Sequence, residues 1–378
     1  MERHDEQMAE RAARWAGTMR GHTADGIALA HADSWGSPGS TATLDRRTRE
    51  DAEQAQLAPL ATKASGAGER ARDEQPDPFR TCFERDRDRI LHANAFRRLA
   101  GKTQVFVFPE DHQRTRLTHA LEVAQVARSV SQAIGLNVAL TEAIALGHDC
   151  GHGPGGHASE DALTPYLTEG YDHAVWGADV VLVPLNLCAE TLDGVRNHSW
   201  SRPAPATPEG EVVSWADRIA YVCHDFEDAV AAGIVTTEML PPIVASRVGS
   251  DRSQQLGTFV RAMITATANT GRIGMVADTA EALGEFRRFN YEHIYMRPAS
   301  RAQGDAVVAL LRALVEHFAD RPNRLPDTHA HGGLDAGSAE ALRAAVTYVG
   351  GMTDRFACRQ AMALFDWPRE RLPAGIDI

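Results

Sequence analysis

The sequence predicts an all-α protein. From about residue 80 onward, apolar residues recur at three- and four-residue steps, which is the period of an amphipathic helix. Alternating β-branched runs, the usual sign of strands, are scarce. Gly135 and Gly233 lie where two of the periodic segments end, as glycine does after many helices. The clearest helical segments are FERDRDRILHANAFRRL, RTRLTHALEVAQVARSVSQAIG, LNVALTEAIALGHD and EVVSWADRIAYVCHDFEDAVAAG.

The distribution of large apolar residues divides the chain. Residues 1–78 contain few of them and are rich in Ala, Gly, Ser, Thr and charged residues, so we expect a flexible N-terminal arm. Residues 79–378 have the composition and periodicity of a folded helical domain. Within this domain, the polar motifs lie in residues 100–230, and residues 231–378 supply further C-terminal helices.

Composition excludes several classes of protein. The 39 basic and 51 acidic residues give a net charge of −12, so nucleic acid is not expected as the main ligand. The five cysteines are widely spaced and include no Cys-x-x-Cys, which argues against a disulfide framework or a zinc ribbon. The sequence contains neither a signal peptide nor an apolar run of about 18 residues. We therefore expect a cytoplasmic protein without a membrane anchor.

The segment GHDCGHGPGGHASE, residues 147–160, can be interpreted in two ways. Gly151, Gly153 and Gly156 have the Gly-x-Gly-x-x-Gly spacing of a dinucleotide-binding loop, whereas the histidines and acids suggest metal chemistry. A dinucleotide loop follows a strand within a βαβ unit. Because the residues before this segment are helix formers with helical periodicity, we favour the metal site.

Four residues from three helices are candidate metal ligands. His119 belongs to one predicted helix, His148 and Asp149 to the end of the next, and Asp217 to a later one. Adjacent residues diverge on a helix, so joint ligation by His148 and Asp149 requires the helix to end near Gly151. Such nitrogen and oxygen donors suit Mn, Fe, Co or Zn, and Mg less well.

Further polar residues share helix faces with these candidates. Arg116 precedes His119 by three residues, so both project from one face, where the guanidinium could bind phosphate. Asp217, Tyr221 and Asp225 form a polar stripe on an otherwise apolar helix. For Asp225, exposure to solvent is a reasonable alternative to a role in ligand binding.

His157 and Glu160 are three residues apart at the start of a predicted helix. The carboxylate could orient the imidazole and raise its pKa for acid or base catalysis. Equally, Glu160 could be a first-turn acid that interacts favourably with the helix dipole. Spacing alone does not separate the two interpretations.

The order and spacing of these motifs resemble the HD-domain deoxynucleoside triphosphate triphosphohydrolases, the dGTPase-like proteins. The resemblance spans roughly residues 45–367 and implies an HD-domain helical bundle with its metal site in the 100–230 core. It also implies metal-dependent hydrolysis of deoxynucleoside triphosphates (dNTPs) to a deoxynucleoside and tripolyphosphate, and a homo-oligomer. Regulation by an allosteric dNTP stays open. The segments that carry the resemblance are DPFRTCFERDRDRILHANAFRRLAGKTQVF, RTRLTHALEVAQVAR, EAIALGHDCGHGPGGHASEDAL, ETLDGVRNHS, EVVSWADRIAYVCHDFEDA and GMTDRF.

The resemblance also implies a role for each candidate residue. In the metal and proton-transfer set, the ligands are His119, His148, Asp149 and Asp217, and His157 is the catalytic histidine, tuned by Glu160. In the substrate-binding set, Arg116 and His152 contact the α-phosphate, Arg218 contacts the outer phosphates, and His173 lies near the phosphates. Gln104 and Asp225 bind the sugar 3′-hydroxyl, and Tyr221 packs against the deoxyribose. Tyr291 belongs to the same pocket.

Three positions depart from the family pattern. Gly155 stands where the family commonly has Phe, and Ala174 and Trp176 replace Asn and Gln, so we expect one wall of the pocket to change. Two alternative functions remain: an HD-type nucleotide phosphomonoesterase, since the ligands are shared across the superfamily, and a non-catalytic dNTP-binding regulator. The retained His157 and Glu160 argue against the regulator.

Overall fold

The computed structural model describes two compact units, which divide between residues 44 and 45. In the first unit, Asp25 and Gly26 form the turn of a short hairpin with positive φ angles, the conformation that favours Asp-Gly in two-residue turns. The first unit contains helix α1 (Glu2–Thr18) and the antiparallel strands β1 (His22–Ala24) and β2 (Ile27–Leu29). The described residues are 2–18, 21–39, 42–107, 112–326 and 333–374.

The second unit is helical throughout its described residues, apart from turns and loops. Its α-helices are α2 (Arg46–Gln56), α3 (Cys82–His92), α4 (Asn94–Arg98), α5 (Arg116–Ile134), α6 (Val138–Gly147), α7 (Ala158–Leu163), α8 (His173–Trp176), α9 (Ala189–Asn197), α10 (Pro208–Ala231), α11 (Pro242–Val248), α12 (Arg252–Thr270), α13 (Ala277–Asn290), α14 (Pro298–Asp320), α15 (Ala339–Gly350) and α16 (Asp354–Phe365). Short 3-10 helices are Leu99–Gly101, Thr164–Tyr166, Val183–Leu185, Thr237–Met239, Pro322–Arg324 and Arg369–Arg371, and π-helical turns are Gly177–Val181 and Tyr291–Tyr295.

Two hydrophobic clusters hold the second unit together. In the larger, α5, α6 and α10 pack against one another and against α3, α9 and α12, with Val123, Ile144 and Ile219 fully buried. In the smaller, α14 packs against α7, α15 and α16 around Leu311 and Val346. Burial of each such side chain contributes about 1.5–3 kcal/mol, so these clusters fix the positions of the helix ends.

The ends of α5 and α6 determine where the polar motifs lie. Thr115 caps α5 by accepting a hydrogen bond from the backbone N–H of Thr118, which places Arg116 in the first turn. α6 ends at Gly147, and His148 and Asp149 follow in a turn. The helix therefore ends four residues before Gly151. Because it does not continue, the side chains of His148 and Asp149 are not forced to point in different directions.

Residues 45–78 do not form the flexible arm that composition predicted. They belong to the second unit, where Ala61 and Ala64 are buried. The buried Glu209 carboxylate accepts hydrogen bonds from the backbone N–H and the hydroxyl of Thr62, and Arg70 forms an ion pair with buried Asp86. Hydrogen bonds and ion pairs to residues far away in the sequence hold this segment in place. Composition alone does not predict such contacts. None of the described helices has the length and apolarity needed to cross a membrane.

Candidate metal centre and substrate pocket

The four predicted metal ligands meet between three helices of the larger cluster. His119 lies on α5, His148 and Asp149 follow α6, and Asp217 lies on α10. The Oδ1 atom of Asp217 is 3.0 Å from His119 Nε2 and 3.7 Å from His148 Nε2. His148 Nε2 is in turn 3.5 Å from Asp149 Oδ1. Donor atoms of one ion, each about 2.0–2.2 Å from it, have separations of this size.

Hydrogen bonds fix the orientation of two of these ligands. His148 Nδ1 donates to the carbonyl oxygen of Ala145 at 2.6 Å, so its Nε2 carries a free lone pair. That Nε2 atom is buried and has no hydrogen-bond partner in the described residues. Asp149 Oδ2 accepts a hydrogen bond from Arg116 Nη1 at 2.6 Å, which leaves Oδ1 facing the cluster. The donor set therefore fits a divalent ion.

Both carboxylates are held in their charged form. Burial alone would raise the pKa of Asp217, but the hydrogen bond from His119 and the nearby histidines keep it below its ordinary value. Burial would likewise raise the pKa of Asp149, yet Arg116 and the histidines around it hold that pKa well below its usual range. The buried Asp149 carboxylate and the half-buried Asp217 carboxylate are thus ready to ligate a cation at neutral pH.

A cationic pocket adjoins the ligands. Arg116 is 2% exposed, and its Nε and Nη2 atoms have no hydrogen-bond partner within the described part of the chain. Gly156, at φ +63°, makes room for this side chain, since a Cβ there would lie 2.7 Å from Arg116 Nη2. Next to it, the His152 ring stacks on His173 with centroids 3.7 Å apart. Free guanidinium donors in a dry site suit a phosphate group.

Glu160 pairs with a different histidine from the one that spacing suggested. Its Oε1 atom accepts hydrogen bonds from His173 Nδ1 at 2.7 Å and from the His173 backbone N–H at 2.9 Å. Burial would lower the pKa of His173, but this bond outweighs it and raises the pKa, while the pKa of Glu160 is about 2. Glu160 therefore orients His173 by hydrogen bonding, whereas its charge raises the pKa of His157 without such a bond being seen among the described residues. The loop before His173 brings this residue back to the start of α7. The contact joins residues too far apart in the sequence for helical spacing to predict it.

His157 lies at the edge of the same group of histidines. Its side chain reaches solvent, and its ring meets that of His152 edge to face at 4.9 Å. The pKa of His157 is lowered to about 4, mainly because the surrounding protein disfavours the charged ring and also because Arg116 and His173 are positively charged. His157 is therefore neutral at physiological pH.

Asp225 lies on the apolar side of α10, not in solvent. The carboxyl is 3% exposed, and its Oδ2 atom accepts a hydrogen bond from the Tyr295 hydroxyl at 2.5 Å. Burial raises its pKa to about 7. Among the residues that the structure describes, its Oδ1 atom has no partner, and neither has the buried Oε1 atom of Gln104. Both atoms are free to bind a ligand hydroxyl.

The outer part of the pocket is aromatic and basic. The Tyr221 hydroxyl accepts a hydrogen bond from Arg287 Nε at 2.8 Å, and the Arg287 guanidinium lies 4.7 Å from the Tyr291 ring centroid. The Arg218 guanidinium stacks 3.7 Å from the ring centroid of Trp200, and its Nε atom has no partner. Arginines held on aromatic faces keep donors available for further phosphate oxygens.

The structure brings three residues to the site that the sequence did not assign. His198 follows α9 and lies beside His148, with ring centroids 4.9 Å apart. Arg287 and Tyr295 come from α13 and the π-helical turn after it. His198 closes the quoted motif ETLDGVRNHS, and Tyr295 is one helical turn beyond Tyr291, so both had a weak signal in the sequence.

The departures from the family pattern have different consequences. Trp176 is buried in the smaller hydrophobic cluster, where it packs on Tyr171 and lies 5.1 Å from the Arg343 guanidinium. The indole is thus part of the core, and the expected change to a pocket wall is not seen at this residue. Ala174 is also buried.

Comparisons with known proteins agree with this geometry. A model of the HD domain matches residues 116–222, and a model of the phosphohydrolase-associated domain matches residues 273–363. A deoxyguanosinetriphosphate triphosphohydrolase-like protein of Caldanaerobacter subterraneus subsp. tengcongensis is 38% identical over 85% of this chain and 95% of its own length. The chain belongs to the deoxyguanosinetriphosphate triphosphohydrolase-like family of HD-domain proteins. The predicted all-α HD-domain fold is confirmed.

Other members of the family align over a similar length. A deoxyguanosinetriphosphate triphosphohydrolase-like protein of Clostridium perfringens is 36% identical over 83% of this chain and 96% of its own. A hypothetical protein of known structure from Aquifex aeolicus gives a TM-score of 0.47 at 18% identity, over 76% of this chain and 69% of that one. That likeness is too low to add to the assignment. Membership supports a phosphohydrolase whose buried His/Asp cluster can bind a metal ion.

Proposed function

We propose that this protein hydrolyses dNTPs at the α-phosphorus and releases a deoxynucleoside and tripolyphosphate. The observation that carries the proposal concerns Arg116: one guanidinium nitrogen bonds Asp149, while two buried nitrogens find no hydrogen-bond partner among the described residues. A guanidinium that can bind phosphate thus lies in direct contact with one of the candidate metal ligands, which supports the proposal. The names of the related proteins, which contain deoxyguanosinetriphosphate triphosphohydrolase, support the same substrate class.

Each part of the substrate has candidate partners. A divalent ion held by His119, His148, Asp149 and Asp217 would polarise the phosphoryl oxygens and position water. Arg116 and His152 bind the α-phosphate, with His173 above His152 in the stack, and Arg218 and Arg287 reach the outer phosphates. Gln104 and Asp225 bind the sugar 3′-hydroxyl through their unpaired oxygens, and Tyr221 and Tyr291 line the deoxyribose side.

His157 handles the proton in this proposal. Burial and the positive charges of Arg116 and His173 lower the pKa of His157. The negative charge of a bound triphosphate offsets those positive charges and so raises the pKa of His157 again. The imidazole then takes up a proton and donates it to the departing 5′-oxygen. Glu160 acts through His173, which it orients, and stabilises the positive charge beside His157.

The products test the proposal. Purified protein is incubated with each dNTP and each NTP in Mn²⁺ or Mg²⁺, and the products are separated by ion exchange. We expect deoxynucleoside and tripolyphosphate in equal amounts. Release of orthophosphate instead would point to the phosphomonoesterase alternative, and binding without product in excess over protein would point to the regulator. Mn, Mg, Fe, Co and Zn are compared in parallel, because the donor set accepts all five.

A further inference from the structure

The loop after α9 places an indole at the outer part of the pocket. Trp200 lies two residues beyond His198, which ends this helix, and its side chain is 46% exposed. Its Nε1 atom donates a hydrogen bond to the carbonyl oxygen of Ser214 at 3.1 Å, and its ring meets that of Trp215 edge to face at 4.8 Å. Because two contacts with α10 hold the ring, Trp200 offers an aromatic face of fixed orientation.

This face carries the guanidinium of Arg218. The Arg218 Cζ atom lies 3.7 Å from the centroid of the Trp200 ring. The Arg218 Nε atom is buried and has no hydrogen-bond partner among the described residues. The preceding residue, Asp217, directs its carboxylate to two histidines of the metal site. Trp200 therefore holds Arg218 without occupying its N–H donors, because a cation–π contact uses the charge of the guanidinium and the face of the ring.

A second guanidinium adds positive charge at the same end of the pocket. Arg287 donates from Nε to the Tyr221 hydroxyl at 2.8 Å, and its own charge lies close enough to repel that of Arg218. Both arginines rest on aromatic rings, Arg218 on Trp200 and Arg287 on Tyr291. Two cations that are held close together in this way favour a ligand with several negative charges, such as a polyphosphate.

We propose that Trp200 is a positioning residue that makes the pocket selective for a triphosphate over a monophosphate. Arg218 held on the ring loses less conformational freedom when it binds the outer phosphates than a freely moving arginine would lose. A monophosphate has no outer phosphates and meets Arg116 and His152, so its binding does not depend on Trp200. The inference rests on the role of Arg218 in the proposed function and adds the residue that makes this role effective.

The affinities for ligands with three phosphates and with one test the inference. The ligands are the 5′-methylene analogues of dGTP and dGMP with Mn²⁺, in which a P–C bond replaces the bond that hydrolysis would break. Isothermal titration calorimetry on the full-length protein measures both values of Kd. We expect Trp200→Leu to raise the Kd of the triphosphate analogue about 5- to 30-fold, the usual effect of losing a partly buried cation–π contact. The Kd of the monophosphate analogue should stay at its wild-type value.

Two further comparisons separate positioning of Arg218 from a merely structural role. Trp200→Tyr keeps an aromatic face and should retain most of the affinity for the triphosphate analogue. In an Arg218→Met background, Trp200→Leu should have no further effect, because the cation that the ring positions is absent. The matched control is Trp15→Leu, which removes another arginine–tryptophan contact, that with Arg11 at 4.7 Å, and should leave both values of Kd unchanged.

Three results would overturn the role of Trp200: unchanged triphosphate affinity in Trp200→Leu, equal losses for the two analogues, or a loss that persists in Arg218→Met. Thermal unfolding checks each variant, and Trp200→Met is the second variant without a ring should Trp200→Leu not fold. The proposed function fails separately. Selective loss of triphosphate binding in a protein that releases no tripolyphosphate contradicts only the reaction, and equal losses in a protein that releases it contradict only the role of Trp200.

Discussion

Asp217 is the residue on which the metal site depends most. Its Oδ1 atom lies within 4 Å of both His119 Nε2 and His148 Nε2, at 3.0 and 3.7 Å. We expect Asp217→Ala to lose the metal ion and all measurable turnover. Metal per chain and product formation are compared with Glu211→Ala, a carboxylate on the same helix outside the ligand set. Wild-type metal content and turnover in Asp217→Ala would rule out this ligand assignment.

His157 separates proton transfer from metal binding. Its ring contacts the ring of His152, and His157 is not one of the four candidate metal ligands. We expect His157→Ala to lower kcat by about 10²- to 10⁴-fold, the usual range for loss of a general acid. Metal content and the affinity for a non-hydrolysable dNTP should stay near wild type. Near-normal turnover would show that His157 does not donate the proton.

The buried Asp225 carboxyl predicts a pH dependence of stability. Its pKa rises from 3.8 to about 7, mainly through burial, while Tyr295, His119, Asp228 and Arg114 are the polar groups around it. A raised carboxyl pKa stabilises the fold below pH 4 and loses that contribution as pH rises through 7, on the order of a few kcal/mol.

Asp225→Asn should therefore gain stability relative to wild type between pH 5 and pH 8. Chemical unfolding of chelator-treated protein measures the difference, because an ion near His119 would itself lower the pKa of Asp225. A difference that does not change with pH would mean that the Asp225 carboxyl keeps an ordinary pKa.

The sequence predicts some of these residues better than others. Asp217 stands out because a charged residue interrupts an apolar helix face, and that signal is local. The partner of Glu160 depends on how residues 164–173 fold back, and no spacing rule covers a loop of that length. His198 could be singled out only once its neighbours were known.

At the scale of elements, α16 anchors the loop that carries the histidines. Asp354, in its first turn, accepts hydrogen bonds from the backbone N–H and hydroxyl of Thr103 at 2.8 and 2.6 Å, and from the Gly155 N–H at 2.9 Å. Buried Lys102 donates to the carbonyl oxygens of His152 and Gly350. The motif GMTDRF thus positions the pocket from the C-terminal region of the chain.

Asp354→Asn should lower kcat without removing metal. An amide has only one acceptor oxygen, so either Thr103 or Gly155 loses its partner and the loop shifts. We expect a loss of about 10- to 100-fold, as small displacements of catalytic groups cause. The matched control is Thr353→Ala, which removes the cap of α16 but leaves the tether. Equal losses of kcat in two variants of equal thermal stability would show that Asp354 is only structural.

Helix positions are the part of the fold that periodicity predicts well, and loops are the part that it predicts poorly. The replacement at Gly155 illustrates why. The residue has φ +74°, and a Cβ there would lie 2.4 Å from Val307 Cγ1. Helix α14 therefore fills the space that a side chain at 155 would need, and only the folded chain shows that this helix passes so close to the loop.

For the whole molecule, the boundary at residue 44 predicts the outcome of truncation. Removal of residues 1–44 should leave the unfolding transition of the second unit unchanged. Removal of residues 1–78 should lower the free energy of unfolding by at least about 2 kcal/mol, because buried Glu209 loses Thr62. Thermal unfolding of the two truncated chains measures this. Equal free energies of unfolding for the two truncated chains would show that the folded domain begins after residue 78.

In the proposed reaction water attacks the α-phosphorus, and the position of an oxygen label in the products tests this most directly. The protein hydrolyses a dNTP in H₂¹⁸O with Mn²⁺, and mass spectrometry locates the label in the products. Attack at the α-phosphorus predicts one ¹⁸O in tripolyphosphate and none in the deoxynucleoside. Label in orthophosphate, or in the 5′-hydroxyl of the deoxynucleoside, would contradict the account.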